Sequence, residues 1–280
     1  MTFIRSYPEF GICVGSLVLC AAGFVFLGHD GWPGALHECV ATSTCYCEAG
    51  RAGGIAQPAN TWSGLAFIAA GLAIAWHAGW ARTTERPAPD NPLASTHLYP
   101  GLLALSVCLL GPGAMFFHAS LTDWGGVLDI ASMYFFLDFW LLYNLKRLYG
   151  WSDSTFLIAY VVATVAFTSP RLLSPAYGVP VFVVVATVTL ATEWIAARPA
   201  QRGRTAAPPR IERDRRWLWA ALGALAIARA AEAFIPCHPS SLIQGHAVLH
   251  IFHALLDVAA YLYLRSERGP LDRVNCAPGQ

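Results

Sequence analysis

Long apolar stretches separated by short polar connections dominate the pattern along this chain. Runs of about 17 to 25 apolar residues have the length needed to cross a bilayer as a helix. Eight such runs occur, at 10–28, 59–81, 98–120, 125–146, 151–169, 176–197, 217–236 and 242–264. Pro170 and Arg171 cut the fifth run short, so a re-entrant segment is an alternative there. The pattern predicts an all-α polytopic membrane helix bundle, with a seven-helix core and an extra N-terminal transmembrane helix.

Composition agrees with this pattern. Of the 280 residues, 56% are hydrophobic and only 12% are charged, whereas soluble domains carry about 25% charged residues. This excludes an ordinary soluble domain. The formal net charge of +1 argues neither for nor against nucleic acid, and no nucleic-acid partner is expected.

The basic residues predict the orientation of the chain. With eight spans, fifteen of the 18 lysines and arginines fall on the N-terminal side of the membrane. The opposite side holds Arg51 and Arg171, and Arg229 lies inside the seventh span. Loops rich in Lys and Arg stay in the cytoplasm. Both termini are therefore expected to be cytoplasmic, and omitting the fifth span would break this partition.

Four segments follow from these spans: an N-terminal transmembrane helix (1–28), an outward cysteine-containing loop (29–58), a seven-helix core (59–265) and a cytoplasmic tail (266–280). The first span has an alternative interpretation as a signal peptide, with Arg5 as its charged start. Its apolar run is long for a signal peptide, and the remaining topology is the same in both cases.

Histidines are the most informative polar residues within the spans, since ionisable groups inside a membrane are costly and usually functional. His118 ends the third span, and Asp129 follows near the start of the fourth. At a rise of about 1.5 Å per residue, His246 lies about 6 Å below the outer surface and His250 about 12 Å. Residues four apart share a helix face. All four side chains are therefore expected at one depth.

Three neutral imidazoles leave the fourth tetrahedral position open, as in a catalytic zinc site. Zinc lowers the pKa of its water to about 7, and Asp129 would act as general base or as partner of the water or of a ligand histidine. The competing interpretation is a set of polar groups that bond helices together. His253 and Asp257 continue the stripe as outer partners, whereas Arg229 and Glu232 are expected to form a local ion pair.

Four cysteines lie on the outward side: Cys39, Cys45, Cys47 and Cys237. They permit two disulfides with three possible pairings. A Cys47–Cys237 bond would hold the loop over the mouth of the histidine site, and zinc binding by Cys45 and Cys47 is the competing idea. Three further cysteines lie within spans and are expected to be inert: Cys13, Cys20 and Cys108.

Several polar residues precede the second span. Asn60 and Ser63 stand where a helix needs a side-chain cap on its first turn. The functional alternative makes Glu48, Gln57 and Asn60 oxygen donors to a second cation near the histidines.

Together these residues resemble the alkaline ceramidases and the surrounding superfamily of seven-span membrane hydrolases and receptors. The resemblance covers about residues 45–265. Five pieces carry it: Phe117-His118-Ala-Ser-Leu, Leu128-Asp129 followed by Met133-Tyr134, His246-x-x-x-His250, Cys47-Glu48, and Asn60-Thr-x-Ser63. Their order and the spacing from His118 to Asp129 are more specific than any single piece.

The resemblance implies a seven-helix bundle in which His118, His246 and His250 hold zinc and Asp129 acts on the water of that site. It also implies hydrolysis of the amide of ceramide-like lipids to a long-chain base and a fatty acid. A Cys47–Cys237 disulfide is likewise implied.

Three features depart from the family. Ala114 stands where the family has a serine thought to stabilise the oxyanion, so another donor is needed. Of the family's acidic calcium ligands, only Glu48 and Asn60 have counterparts here, with Gln57 where an acid would stand, which puts Ca²⁺ dependence in doubt. The first span is an addition to the seven-span core.

The sequence therefore predicts a zinc-dependent intramembrane hydrolase with an amide-linked lipid as substrate. A lipid esterase or phospholipase-type hydrolase using the same site is one alternative, and a receptor or scaffold with a structural zinc is another. The predominance of arginine over lysine is typical of a GC-rich bacterial genome and favours a bacterial inner membrane. Head-group and acyl-chain preference and oligomeric state are left open.

Overall fold

Eight long helices form the protein, which a computed structural model describes over residues 7–85, 90–196 and 211–268. They are α1 (Pro8–Gly28), α2 (Pro58–Thr84), α3 (Leu98–Ser120), α4 (Asp123–Tyr149), α5 (Asp153–Leu173), α6 (Gly178–Ala196), α7 (Arg215–Phe234) and α8 (Gly245–Arg265). All eight are long and apolar enough to cross a membrane, and the described residues contain no strand. The predicted all-α polytopic bundle is confirmed, and the protein is an integral, multi-pass membrane protein.

Helix α5 is longer than the sequence predicts. The fifth span was expected to end at 169, but the helix continues past Pro170 to Leu173. Proline lacks the N–H that would bond the carbonyl four residues earlier. Here Ser169 Oγ donates to the Ala166 carbonyl at 3.0 Å and replaces that bond. Arg171 is consequently part of a helix rather than of a loop.

The centre of the bundle is α3, which is buried along most of its length and packs against α1, α2 and α4. Small residues allow this close approach, as is common between membrane helices. A Cβ on Gly71 of α2 would lie 2.5 Å from the Cys108 nitrogen of α3. Helix α8 packs against α7 and α2, and α5 and α6 flank α4.

The additional helix α1 is tied to the bundle by a buried ion pair. Glu9 is 1% exposed, and its carboxylate lies 2.6 Å from Arg82 of α2 and 2.9 Å from His97 Nδ1. Glycines on the neighbouring helices make room for it, because a Cβ on Gly101 would lie 3.2 Å from the Glu9 side chain. These contacts favour α1 as a constituent of the bundle over the signal-peptide alternative.

A short turn joins the end of α3 to the start of α4. Helix α3 ends at Ser120, and the next residue, Leu121, adopts the left-handed conformation at φ 50°. Thr122 then caps α4 by accepting a hydrogen bond from Gly125 N at 3.2 Å. This end of the bundle, where α3 finishes and α4 and α8 begin, also carries the two disulfides described below, and we call it the disulfide end.

The opposite end is closed by a buried ionic network. Arg213 contacts Glu193 at 2.6 Å and Glu267 at 3.0 Å, and Arg147 lies 2.6 Å from Glu267. Arg213 lies between α6 and α7, and Glu267 belongs to the predicted tail. Both are buried. Burial of these two residues is possible because they carry opposite charges and pair with each other.

Parts of the predicted tail and of the basic loops lie outside the described residues. These parts are 1–6, 86–89, 197–210 and 269–280. They contain several of the arginines on which the predicted orientation depends. The orientation of the termini therefore stays a prediction.

Candidate metal centre

Three histidines from two helices converge at the disulfide end. His118 stands at the last turn of α3, and His246 and His250 occupy the first two turns of α8. One ligand nitrogen of each lies within 4.8 Å of the others, and these three residues can hold a metal ion. The prediction that His118 meets the pair from the last span is confirmed.

Backbone contacts fix the end of α3 that carries His118. The His118 carbonyl accepts a hydrogen bond from Gln57 N at 3.0 Å, and the Ala119 carbonyl accepts one from Ala56 N at 2.9 Å. These carbonyls have no partner within α3, because the last four carbonyls of a helix lack intrahelical donors. The chain entering α2 therefore supplies those donors and holds His118 against the start of α2.

A glycine lets α8 approach α7. A Cβ on Gly245 would lie 2.7 Å from the Ala231 carbonyl, so any larger residue would push the start of α8 away. Gly245 directly precedes His246 in the chain. The close approach brings the His246 ring to Glu232 of α7.

Each histidine ring is oriented by a hydrogen bond at Nδ1. The partners are Gln57 Oε1 for His118 at 2.8 Å, Glu232 Oε1 for His246 at 3.0 Å, and Ser63 Oγ for His250 at 2.7 Å. Such partners of metal-binding histidines fix the ring orientation and the tautomer.

The hydrogen-bond network also determines where the protons lie. Gln57 Nε2 donates to the Cys45 and Glu48 carbonyls, which leaves its Oε1 as the acceptor of the His118 Nδ1–H. Ser63 donates its only hydroxyl hydrogen to the Asn60 carbonyl at 2.8 Å, so its oxygen accepts from His250.

For His246 the assignment is simpler, because the Glu232 carboxylate can only accept. All three neutral rings therefore keep an unprotonated Nε2. The Nε2 of His118 is buried and has no hydrogen-bond partner among the described residues. Three imidazole nitrogens with free lone pairs match the donor set of a three-histidine zinc site, so the residues present fit this metal.

Glu232 is a site residue that sequence reasoning missed. The expected ion pair with Arg229 is present at 2.9 Å, but the second carboxylate oxygen faces His246. The signal in the sequence was an acid within an apolar span. Its contact with His246 could not be predicted, because the spacing of residues does not determine the rotation of α7 against α8.

Asp129, the predicted general base, lies near the start of α4 and outside the set of possible ligands. Its carboxylate accepts no hydrogen bond from the described residues, although it interacts electrostatically with Tyr46 and Arg171. This position is compatible with a group that acts on a substrate rather than on a metal. Its catalytic role stays a prediction.

The loop before α2 covers the cluster and is held by two disulfides, Cys39–Cys45 and Cys47–Cys237. The pairing implied by the family resemblance is thus present, and zinc binding by Cys45 and Cys47 is excluded in this structure because both are oxidised. The cysteines within spans are free thiols.

Tyr46 stands between the two disulfides, and no pattern in the sequence predicts its position. Its backbone has φ 59°, a conformation uncommon for residues other than glycine and frequent at functional sites. Its ring lies 3.7 Å from the His246 ring and 5.0 Å from the His118 ring, between centroids. The residue keeps an exposed face, but desolvation, Asp129 and Glu232 raise the pKa of its hydroxyl above the usual 10.

Glu48 and Asn60, the predicted donors to a second cation, lie beside the first turn of α2. The Glu48 carboxylate accepts hydrogen bonds from Ala59 N and Asn60 N, both at 2.8 Å. Glu48 therefore caps α2, a role the sequence had offered to Asn60 and Ser63. Asn60 donates to Gln57 Oε1 at 3.3 Å, and its Oδ1 is buried without a partner. A second cation at this place stays a prediction.

His253 and Asp257 continue the stripe along α8, as predicted. Neither belongs to the group of possible metal ligands. His253 Nε2 and Asp257 Oδ2 are buried without a hydrogen-bond partner. Their role as outer partners of the histidines is not supported by any hydrogen bond in the described part of the chain.

Comparison with known proteins adds no identification. No protein-family model matches the chain, and no curated protein matches it. The resemblance to alkaline ceramidases therefore depends on the residues named above and on nothing else.

Proposed function

We propose that the protein is a zinc-dependent intramembrane hydrolase that cleaves the amide bond of ceramide-like lipids to a long-chain base and a fatty acid. The observation that carries this proposal is the convergence of three unprotonated Nε2 atoms, each ring being fixed from behind at Nδ1. A structural zinc site usually has four protein ligands, whereas three leave a position for water or substrate.

His118, His246 and His250 would hold the zinc ion, which would supply a Lewis acid for the scissile carbonyl and lower the pKa of a water to about 7. The protein's own groups would then move the protons. Asp129 would accept a proton from the attacking water and pass it to the nitrogen of the amide as the C–N bond breaks. The products are a carboxylic acid and an amine, which accounts for the water consumed.

Tyr46 offers a donor in place of the serine that is missing at Ala114. Its ring contacts His246 and His118, and its hydroxyl makes no hydrogen bond with the described residues. A neutral phenol can donate to the oxygen on which negative charge develops. The two disulfides around it would keep this donor in place without reorganisation during the reaction.

We also propose that the disulfide end faces the non-cytoplasmic side of a bacterial inner membrane. Two observations support this orientation: disulfides persist in oxidising compartments, and most lysines and arginines fall on the other side. The substrate would then enter from the outer leaflet, where α8 presents Ile251 and Leu255 to lipid.

Ala114 is also the observation that favours a second candidate, a lipid esterase using the same site. Esters have a better leaving group than amides and depend less on a dedicated oxyanion donor. The residues that would hold the metal are the same in both cases.

Metal analysis and a lipid panel test the proposal. Purified protein should hold about one zinc per chain and release acid and amine from ceramide, with turnover lost after treatment with a chelator. His246→Ala and His250→Ala should lose both metal and turnover. His29→Ala serves as the control, since its ring is exposed and lies away from the cluster.

Each outcome has a definite meaning. Absence of stoichiometric zinc in the unmutated protein rejects the proposal. Turnover of esters alone rejects the amide assignment and selects the esterase. Zinc without turnover of any lipid favours a receptor or scaffold with a structural metal.

A further inference from the structure

Arg171 is a buried arginine that has no hydrogen-bond or ion-pair partner among the described residues. It lies in the last turn of α5 and is 6% exposed. No carboxylate among the described residues comes within 4.0 Å of its guanidinium, and no hydrogen bond from it to a described residue is formed. Its Nη2 is completely shielded from solvent. Buried charges are otherwise paired, because an unpaired charge is strongly disfavoured away from water.

The surroundings of Arg171 are built to accommodate its side chain. A Cβ on Gly126 of α4 would lie 2.8 Å from Arg171 Nη2, and a Cβ on Gly178 of α6 would lie 3.3 Å from Arg171 Cδ. Two glycines on different helices thus leave the space that the side chain fills. Asp129 and Arg171 interact electrostatically, but they make no ion pair.

A second donor without an acceptor lies beside the guanidinium. His37 Nδ1 accepts a hydrogen bond from Cys39 N at 3.1 Å, so the proton of the neutral ring is on Nε2. That Nε2 lies 3.5 Å from the same Cβ position on Gly126 that Arg171 approaches. Burial and the nearby charge of Arg171 lower the pKa of His37, which keeps the ring neutral with its Nε2–H as a donor.

These two donors lie at the disulfide end, where α3 also carries His118. The His37 ring packs against Phe117, with 5.2 Å between centroids, and Phe117 directly precedes His118. Gly126 is three residues nearer the start of α4 than Asp129, which is about one helical turn. A lipid with its amide at the histidines would have its head group at this level.

We propose that Arg171 and His37 form a subsite for an oxyanion, a carboxylate or a phosphate, in the head group of the lipid substrate. The inference depends on the proposed function and makes acyl-amide lipids with an anionic head group the preferred members of its substrate class. A guanidinium binds carboxylate and phosphate through two parallel hydrogen bonds, and the imidazole N–H adds a third donor. Binding of the oxyanion would give the buried charge the partner it lacks.

Two lipids that differ only in the head group test this subsite. N-palmitoylglycine carries a carboxylate beside the amide, and N-palmitoylethanolamine carries a hydroxyl in its place. We expect the unmutated protein to have the higher kcat/KM for the glycine conjugate. Because hydrogen bonds to charged groups are the stronger ones, Arg171→Gln should reduce this preference by about 10- to 100-fold.

Controls separate the subsite from other effects of charge. Arg51→Gln removes an exposed arginine of the same end of the bundle and should leave the preference unchanged. Should Arg171→Gln fail to fold, Arg171→Lys keeps the charge but loses the planar pair of donors, and should still reduce the preference. Sodium acetate and inorganic phosphate, added alone, show whether a free anion competes with N-palmitoylglycine or whether the acyl chain is required.

The results distinguish the inference from the proposed function. Equal turnover of the two lipids by the unmutated protein, or an equal loss for both in Arg171→Gln, overturns the subsite and leaves the hydrolase standing. If the protein binds zinc but cleaves neither these two amides nor ceramide, the proposed function fails. In that case the subsite is tested by binding, and equal dissociation constants for the two lipids overturn it.

Discussion

Gln57 provides the sharpest test of the metal centre. It is fully buried, and its side-chain amide joins three parts of the site. Its Nε2 donates to the Cys45 and Glu48 carbonyls at 2.6 and 2.7 Å, while its Oε1 accepts the His118 Nδ1–H at 2.8 Å. Gln57→Leu keeps a similar volume but removes all of these bonds.

The structure gives the expected magnitudes. Each buried group left unsatisfied costs about 1–3 kcal/mol. Because these losses overlap, we expect the free energy of unfolding of the metal-free protein to fall by about 3 kcal/mol. His118 additionally loses the bond that fixes its tautomer. Removal of such a partner weakens metal binding about 10- to 100-fold, which corresponds to about 1.4 to 2.7 kcal/mol.

Zinc affinity is measured by competition with a chromophoric chelator in detergent, and stability by thermal unfolding. Asn91→Leu is the matched control. Asn91 is also fully buried and donates to the Arg265 and Glu267 carbonyls, but at the opposite end of the bundle. The Asn91→Leu variant should lose stability and keep its zinc affinity. If the two variants lose zinc affinity equally, the role of Gln57 in orienting His118 is refuted.

Three further predictions follow from other contacts. Tyr46→Phe keeps the ring on His246 and removes the hydroxyl, so kcat for an amide lipid should fall about 100-fold with zinc content unchanged; an unaltered kcat would remove Tyr46 from the mechanism. Cys237→Ser opens a disulfide that spans 190 residues and should lower thermal stability by about 2–4 kcal/mol, as followed by unfolding in detergent, whereas an unchanged melting temperature would contradict it. Glu9→Leu leaves Arg82 buried without its partner and should cost about 3 kcal/mol while zinc binding persists; equal stability would mean that α1 is not held by this pair.

The sequence was sufficient to predict the arrangement of helices and the three histidines. The lengths of the apolar runs are enough to locate the spans, because backbone polar groups in lipid must form their hydrogen bonds within a helix. An alternating topology then brings the end of α3 and the start of α8 to the same side. His118 therefore had to lie at the depth of His246 and His250, whatever the details of packing.

The partners of these histidines could not be predicted in the same way. Gln57, Ser63 and Glu232 reach them from different helices, and each contact depends on the rotation of one helix against another. Tyr46 depends on a left-handed backbone within a loop closed by disulfides. Propensity and spacing contain no signal for either kind of contact.

For Arg171, the general rule that proline ends a helix led to a wrong prediction of the residue's environment. A proline usually ends a helix, so the arginine after Pro170 was placed in a loop on the outward side. Ser169 instead replaces the lost backbone bond, and α5 continues. One extra turn converts an exposed loop residue into a buried one that lies beside Gly126 and Gly178.

The two ends of the bundle differ in whether the buried polar groups named here have partners among the described residues, and this difference bears on function. At one end, Arg213 is fully paired with Glu193 and Glu267. At the disulfide end, His118 Nε2 and Arg171 Nη2 are buried without partners in the described part of the chain. Unsatisfied groups of this kind reduce stability, so they are expected to persist where a ligand satisfies them. Both lie around the proposed reaction site, one suited to a metal ion and the other to an anion. A charged lipid bound here together with the metal ion would give both groups the partners that they lack among the described residues.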